Sequence, residues 1–170
     1  MKYCILLCCL FFVSTVTTFA QESKSSTPDW TGTWQGELLN LPERPNAPSV
    51  EVVREIGGFP TADDVCTTWR TTYKEGGEIR QVKDYKLCRG TGPDDLFVDE
   101  GDDIKLTARW MGDVLVTPFK YDDTLIISTT RVHDGVMWEE HVSMKDQPAI
   151  EGIQTMKPGN VQRLVLEKID

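Results

Sequence analysis

Histidine is scarce in this chain, and recognisable catalytic motifs are missing. There are two histidines, His133 and His141, and no Gly-x-Ser-x-Gly, phosphate-binding loop, His-Glu-x-x-His or dinucleotide glycine pattern. The sequence therefore nominates no catalytic residue and no cofactor. Cys-x-x-Cys does not occur, which removes the common redox motif and the cysteine-rich zinc sites. The acidic turns at Asp63-Asp64, Asp94-Asp95, Asp99 to Asp103 and Asp122-Asp123 lack the Asp-x-Asp-x-Asp-Gly spacing of a calcium loop. They read as solvated turns, and no metal site is expected. Asn-x-Ser/Thr is absent too, so no N-glycosylation is expected.

What is present begins with a processing signal. Lys2 precedes an uncharged apolar run, Cys4 to Val13, followed by polar Ser14 to Thr18 and the small-residue exit Thr18-Phe19-Ala20. This pattern predicts a signal peptide over residues 1–20, removed after Ala20, and a secreted, extracellular product. The apolar run is about half the roughly 20 residues a spanning helix needs, so membrane insertion is not expected. The mature chain, Gln21 to Asp170, has 150 residues, enough for one domain with its own core.

Cleavage also simplifies charge and cysteine. Loss of Lys2 leaves 17 basic and 27 acidic side chains, a net charge of −10. Such a surface repels phosphate backbones and anionic membranes, so nucleic acid is not an expected partner; a protein partner remains open. Of five cysteines, Cys4, Cys8 and Cys9 leave with the signal peptide. Cys66 and Cys88 remain, and in an oxidising compartment they are expected to pair.

Residues 21–29 are polar and read as a flexible lead-in to a single domain over 30–170. Short β-rich runs follow, separated by Gly, Asp and Pro, at about 33–39, 50–56, 65–74, 79–88, 95–98, 103–111, 114–121, 124–133, 136–144 and 161–168. Residues 42–48, with three prolines, cannot lie in a central strand. No run shows a helical stripe of about ten residues. Two-residue gaps at Gly112-Asp113, Asp122-Asp123 and Asp134-Gly135 predict tight hairpins in succession.

Pairing faces tests these hairpins. A Gly112-Asp113 loop sets Trp110 opposite Leu115, Ala108 opposite Thr117, Leu106 opposite Phe119 and Ile104 opposite Tyr121, with charged residues on the other face. The same register carries Thr124, Ile126, Ser128, Thr130 and Val132, then Met137, Glu139, His141 and Ser143, onto the Trp110 face. A single bulge after residue 124 would instead turn Val136, Trp138, Glu140 and Val142 to that side. In the preceding hairpin a three-residue connection, Gly76-Gly77-Glu78, aligns Cys66 with Cys88, Trp69 with Tyr85 and Arg70 with Asp84.

Ten meandering strands with scant helix either close into an up-and-down β-barrel or stack as a β-sandwich. Gly32-x-Trp34 at the first strand, followed by serial hairpins, resembles the calycins, the lipocalin and fatty-acid-binding superfamily. The resemblance implies that Gly32 and Trp34 plug one end of an all-β barrel of eight to ten strands. The Thr-Asp-Tyr block and long C-terminal helix of lipocalins are absent, as is the helical pair of the intracellular fatty-acid-binding proteins. The chain thus resembles a remote, secreted lipocalin-like domain.

That resemblance implies a secreted binding protein for a small, largely apolar ligand. The inward set from the registers is Leu106, Ala108, Trp110, Leu115, Thr117, Phe119, Ile126, Ser128, Thr130 and Met137, with Glu139 and His141 as a deeper polar anchor. Large apolar groups interleaved with small hydroxyls suit a pocket better than a solid core. Two alternatives stay open. One is an interaction or structural module with a filled barrel; the other is an enzyme in a barrel cup, with Glu139 and His141 as acid and base.

Overall fold

Residues 29–92 and 94–170 are described by a computed structural model; the predicted signal peptide and the lead-in as far as Pro28 lie outside them. Apolar–polar alternation in the punctuated runs yields ten strands and no helix among the described residues. They are β1 (Gly32–Leu41), β2 (Val50–Ile56), β3 (Cys66–Glu75), β4 (Glu78–Arg89), β5 (Asp95–Gly101), β6 (Ile104–Met111), β7 (Val114–Tyr121), β8 (Thr124–His133), β9 (Val136–Asp146) and β10 (Met156–Lys168). Each strand pairs antiparallel with its sequence neighbours, and β1 pairs with β10 as well as β2. The sheet therefore closes as an up-and-down barrel, and the sandwich alternative is not realised.

Turn chemistry sets the meander. Asp134 and Gly135 (φ 51° and 78°) and Gly76 and Gly77 (φ 59° and 83°) occupy left-handed conformations at both central positions, the geometry whose twist matches a two-residue hairpin. The β3–β4 connection is thus shorter than the three-residue loop expected from sequence. A bulge next to Tyr73 and Lys74, on the β4 side between Ile79 and Gln81, restores the register. Cys66 still faces Cys88, Trp69 faces Tyr85, and Arg70 faces Asp84. The two cysteines are joined by a disulfide. They lie opposite in parity to Trp69 and Leu87, hence on the outer face of the barrel. A formed disulfide of this kind belongs to an oxidising environment.

One register differs from expectation. β6 and β7 pair only through Arg109–Val116, Trp110–Leu115 and Met111–Val114. The expected Ala108–Thr117, Leu106–Phe119 and Ile104–Tyr121 pairs are not made. Pro118 supplies the reason, since it has no N–H to give a ladder, and β7 follows β8 alone from there on. No shift interrupts β7–β8 or β8–β9, so Ile126, Ser128, Thr130, Met137, Glu139 and His141 keep the inward parity read from sequence.

The interior has two unlike halves. At the end where β1 begins, Trp30, Trp34, Leu87, Leu96, Ala108, Leu115, Met137, Leu164 and Leu166 form a closed core. Trp30, just ahead of β1, is wholly buried; it meets Trp110 edge-on at 4.8 Å and Trp69 at 6.3 Å between ring centroids. The Trp34 indole donates to the Trp30 carbonyl at 2.9 Å. Gly32 opens β1 at φ 129°, and a Cβ there would stand 2.6 Å from Lys168 Cε. Gly32 and Trp34 thus lie at the packed end, and the site lies in the other half.

Candidate functional site

β2 reads Val50-Glu51-Val52-Val53-Arg54-Glu55-Ile56, and its even positions face inward. Arg54 therefore enters the barrel on the same parity as Val52 and Ile56, and is only 2% exposed. β9, separated from β2 by β1 and β10, contributes Glu139, 4% exposed. Arg54 Nη2 donates to Glu139 Oε1 at 2.9 Å and stands 2.9 Å from Oε2. Thr130 Oγ1 donates to Oε2 at 3.2 Å, and His141 Nε2 lies 3.0 Å from Oε1. The guanidinium carbon sits 4.8 Å from the centroid of the Trp69 ring, a cation–π contact that desolvation strengthens.

Burial alone would raise the Glu139 pKa. The Arg54 charge, together with the His141 hydrogen bond and charge, overcomes that and holds the carboxyl well below the usual carboxylate range. Glu139 is thus an anion locked to Arg54 rather than a free acid. Burial also pushes the Tyr73 phenol up to about 12, so it remains a neutral hydrogen-bonding group. Tyr85 is raised as well, by burial first and then by the neighbouring Glu100 charge.

Above this ion pair lies a cavity of about 170 Å³. A dry cavity of about 150 Å³ suffices to enclose benzene. Apolar contact comes from Leu38, Trp69, Val98, Leu106, Leu115, Phe119 and Ile126; Thr71, Thr117, Ser128 and Gln162 add neutral polar groups. Tyr73, Lys83, Tyr85 and Glu100 complete the lining beside Arg54, Glu139 and His141. The lining is therefore amphipathic and more polar than the sequence suggested.

Of the twelve residues read from sequence as ligand-binding, Leu106, Leu115, Thr117, Phe119, Ile126, Ser128, Glu139 and His141 line this cavity. Four do not. Ala108 and Met137 are wholly enclosed in the packed half, Trp110 packs against Trp30 and Phe59 there, and Thr130 supports Glu139 from beneath. They have the inward parity but sit too near the closed end to meet a guest. His133 is exposed and paired with Asp134, away from the site.

Sequence reading missed the β2–β4 wall. Arg54 was signalled by its place among alternating Val50, Val52 and Ile56. Thr71, Tyr73 and Lys83 follow from the Trp69–Tyr85 pairing by stepping two residues at a time. Among the described residues no group of three or more His, Cys, Asp or Glu could hold a metal ion. No family model, curated protein or solved structure matches the chain.

Proposed function

We propose that the protein is an exported, lipocalin-like carrier that holds one small amphipathic molecule, mainly apolar in body, in the barrel cavity. The supporting observation is the contrast between the two halves of one interior: tryptophans and aliphatic side chains fill one, while the other keeps about 170 Å³ of space beside a buried ion pair. A barrel meant only as a rigid module would gain stability by filling that space. Export rests on the leader-like residues 1–20 and accords with the Cys66–Cys88 disulfide.

Native mass spectrometry of the exported protein, compared with its denatured form, tests the carrier reading whatever the chemistry of the guest. A mass excess of one small organic molecule that disappears on denaturation is expected. Apparent emptiness, together with failure of any apolar probe to change Trp69 fluorescence saturably, would remove the proposal. A second reading, a module that binds a protein partner, draws on Ile79, Val82, Ile104 and Tyr121, all exposed near the cavity end. It predicts a stable complex that survives blocking of the cavity.

A further inference from the structure

Counting donors and acceptors at the floor of the cavity gives an imbalance with a definite sign. Glu139 has little acceptor capacity left: Oε1 takes Arg54 Nη2 and lies 3.0 Å from His141 Nε2, while Oε2 takes Thr130 and also lies 2.9 Å from Arg54 Nη2. Arg54 is far from satisfied. Its Nε and Nη1 are enclosed and have no hydrogen-bond partner among the described residues. A guanidinium offers five N–H donors and no acceptor, so nothing within the side chain relieves this. Such buried, unpaired donors are rare in folded proteins and call for an acceptor.

Nearer the rim, Lys83 also lines the cavity. Its Nζ lies over the Tyr73 ring at 5.7 Å and forms no ion pair with any described residue. The carboxylate toward that side, Glu100, stands beside the Tyr85 phenol, whose pKa is raised by burial and by that charge. The cavity therefore holds a donor surplus at its floor and an uncommitted cation on its wall.

Resting on the carrier reading above, we infer that the guest bears a carboxylate or an equivalent anionic oxygen group, which accepts from Arg54 while the apolar body lies against Leu106, Phe119 and Ile126. The volume limits the enclosed part to about the size of a substituted benzene ring. Arginine suits the task because its fork of donors serves two anions at once, here Glu139 and the guest. The net negative charge of the whole chain works against general attraction of acids. A preference for acids would therefore report this local arrangement.

Isothermal titration calorimetry on the mature protein with 3-phenylpropanoate, 3-phenylpropan-1-ol and 3-phenylpropylamine tests the inference, since the three share a body and differ in the head group. The acid is expected to bind at least about ten-fold more tightly than the alcohol, the scale of one charged hydrogen bond, with the amine weakest. The R54Q/E139Q double variant keeps the site neutral overall. It should lose the preference for the acid, the ratio of acid to alcohol affinity falling to about one. Equal binding of acid and alcohol, or tighter binding of the amine, overturns the head-group inference while leaving the carrier reading intact. Binding of none of the three overturns the head-group inference, and overturns the carrier reading as well when the native mass spectrum is also empty. These comparisons on the unmodified protein decide the matter even if the variant does not fold.

Discussion

Arg54 Nη2 lies 2.9 Å from each carboxylate oxygen of Glu139, although 85 residues separate the two in the chain. They come from strands separated by β1 and β10 in the closed sheet, so the ion pair ties non-neighbouring strands through the barrel interior. Removing one partner leaves a buried charge without its counter-ion. E139Q should therefore cost about 3–5 kcal/mol of stability, while R54M/E139L, which removes both charges, should be less destabilising than E139Q alone. Urea unfolding of the three proteins checks this. A double variant at least as destabilised as E139Q would mean that the pair is not coupled.

The same pair predicts an acid limb in the stability profile. Glu139 has a lower pKa folded than unfolded, so its contribution is complete above the ordinary carboxylate value of 4.5. As pH falls below that value the unfolded chain binds this proton first, and the contribution drains away until the folded carboxyl also protonates. Stability should fall more steeply below about pH 4.5 in the natural protein than in R54M/E139L, measured as urea midpoints at successive pH values. Parallel slopes would assign the acid limb to surface carboxylates.

The disulfide fastens neighbouring strands whose cysteines are 22 residues apart. In the chain-entropy account a loop of that size contributes about 3 kcal/mol by restricting the unfolded chain. C66A/C88A should lose about 2–4 kcal/mol yet keep the cavity, because the bridge lies on the outer face. Loss of probe binding at a temperature where the variant is folded would contradict that placement.

Trp30 closes the packed end from outside any strand. Trp30→Ala should cost about 3–5 kcal/mol, as large aromatic deletions in cores do. Thermal melting reads the change directly, and a loss under about 1 kcal/mol would show that the end collapses to fill the space.

Hydrogen exchange should reveal the split between β6 and β7. Amides directed into it from Ile104–Thr107 and Phe119–Tyr121 should exchange far faster than those of β8 and β9, which are paired on both sides. Uniform protection across the two strands would mean that the ladder continues past Arg109–Val116.

Much of this was legible because β residues alternate with period two. Once Asp122-Asp123 and Asp134-Gly135 were read as tight turns, the inward parity of Ser128, Glu139 and His141 followed, and no bulge intervened. Parity, however, gives a face and not a depth. It could not distinguish Ala108 and Met137, near the packed end, from Leu106 and Ile126, beside the cavity. Trp30 escaped periodicity because it stands before the first strand. Arg54 could be seen as an interruption in an apolar face, but its partner lies on a strand that only closure brings near. The split was written in Pro118, whose missing donor outweighed the good face pairing of Leu106 with Phe119.

That proline has a consequence for the solubility of the protein. A fully laddered barrel has no edges, but this one keeps a partial edge along Ile104–Ala108 and Thr117–Tyr121, where strands of other chains could dock. The residues there oppose such docking: Pro118 cannot donate to an incoming strand, and exposed Lys105 and Lys120 place like charges on the two sides of the split. The opening is thereby guarded against the self-association that unpaired β edges invite.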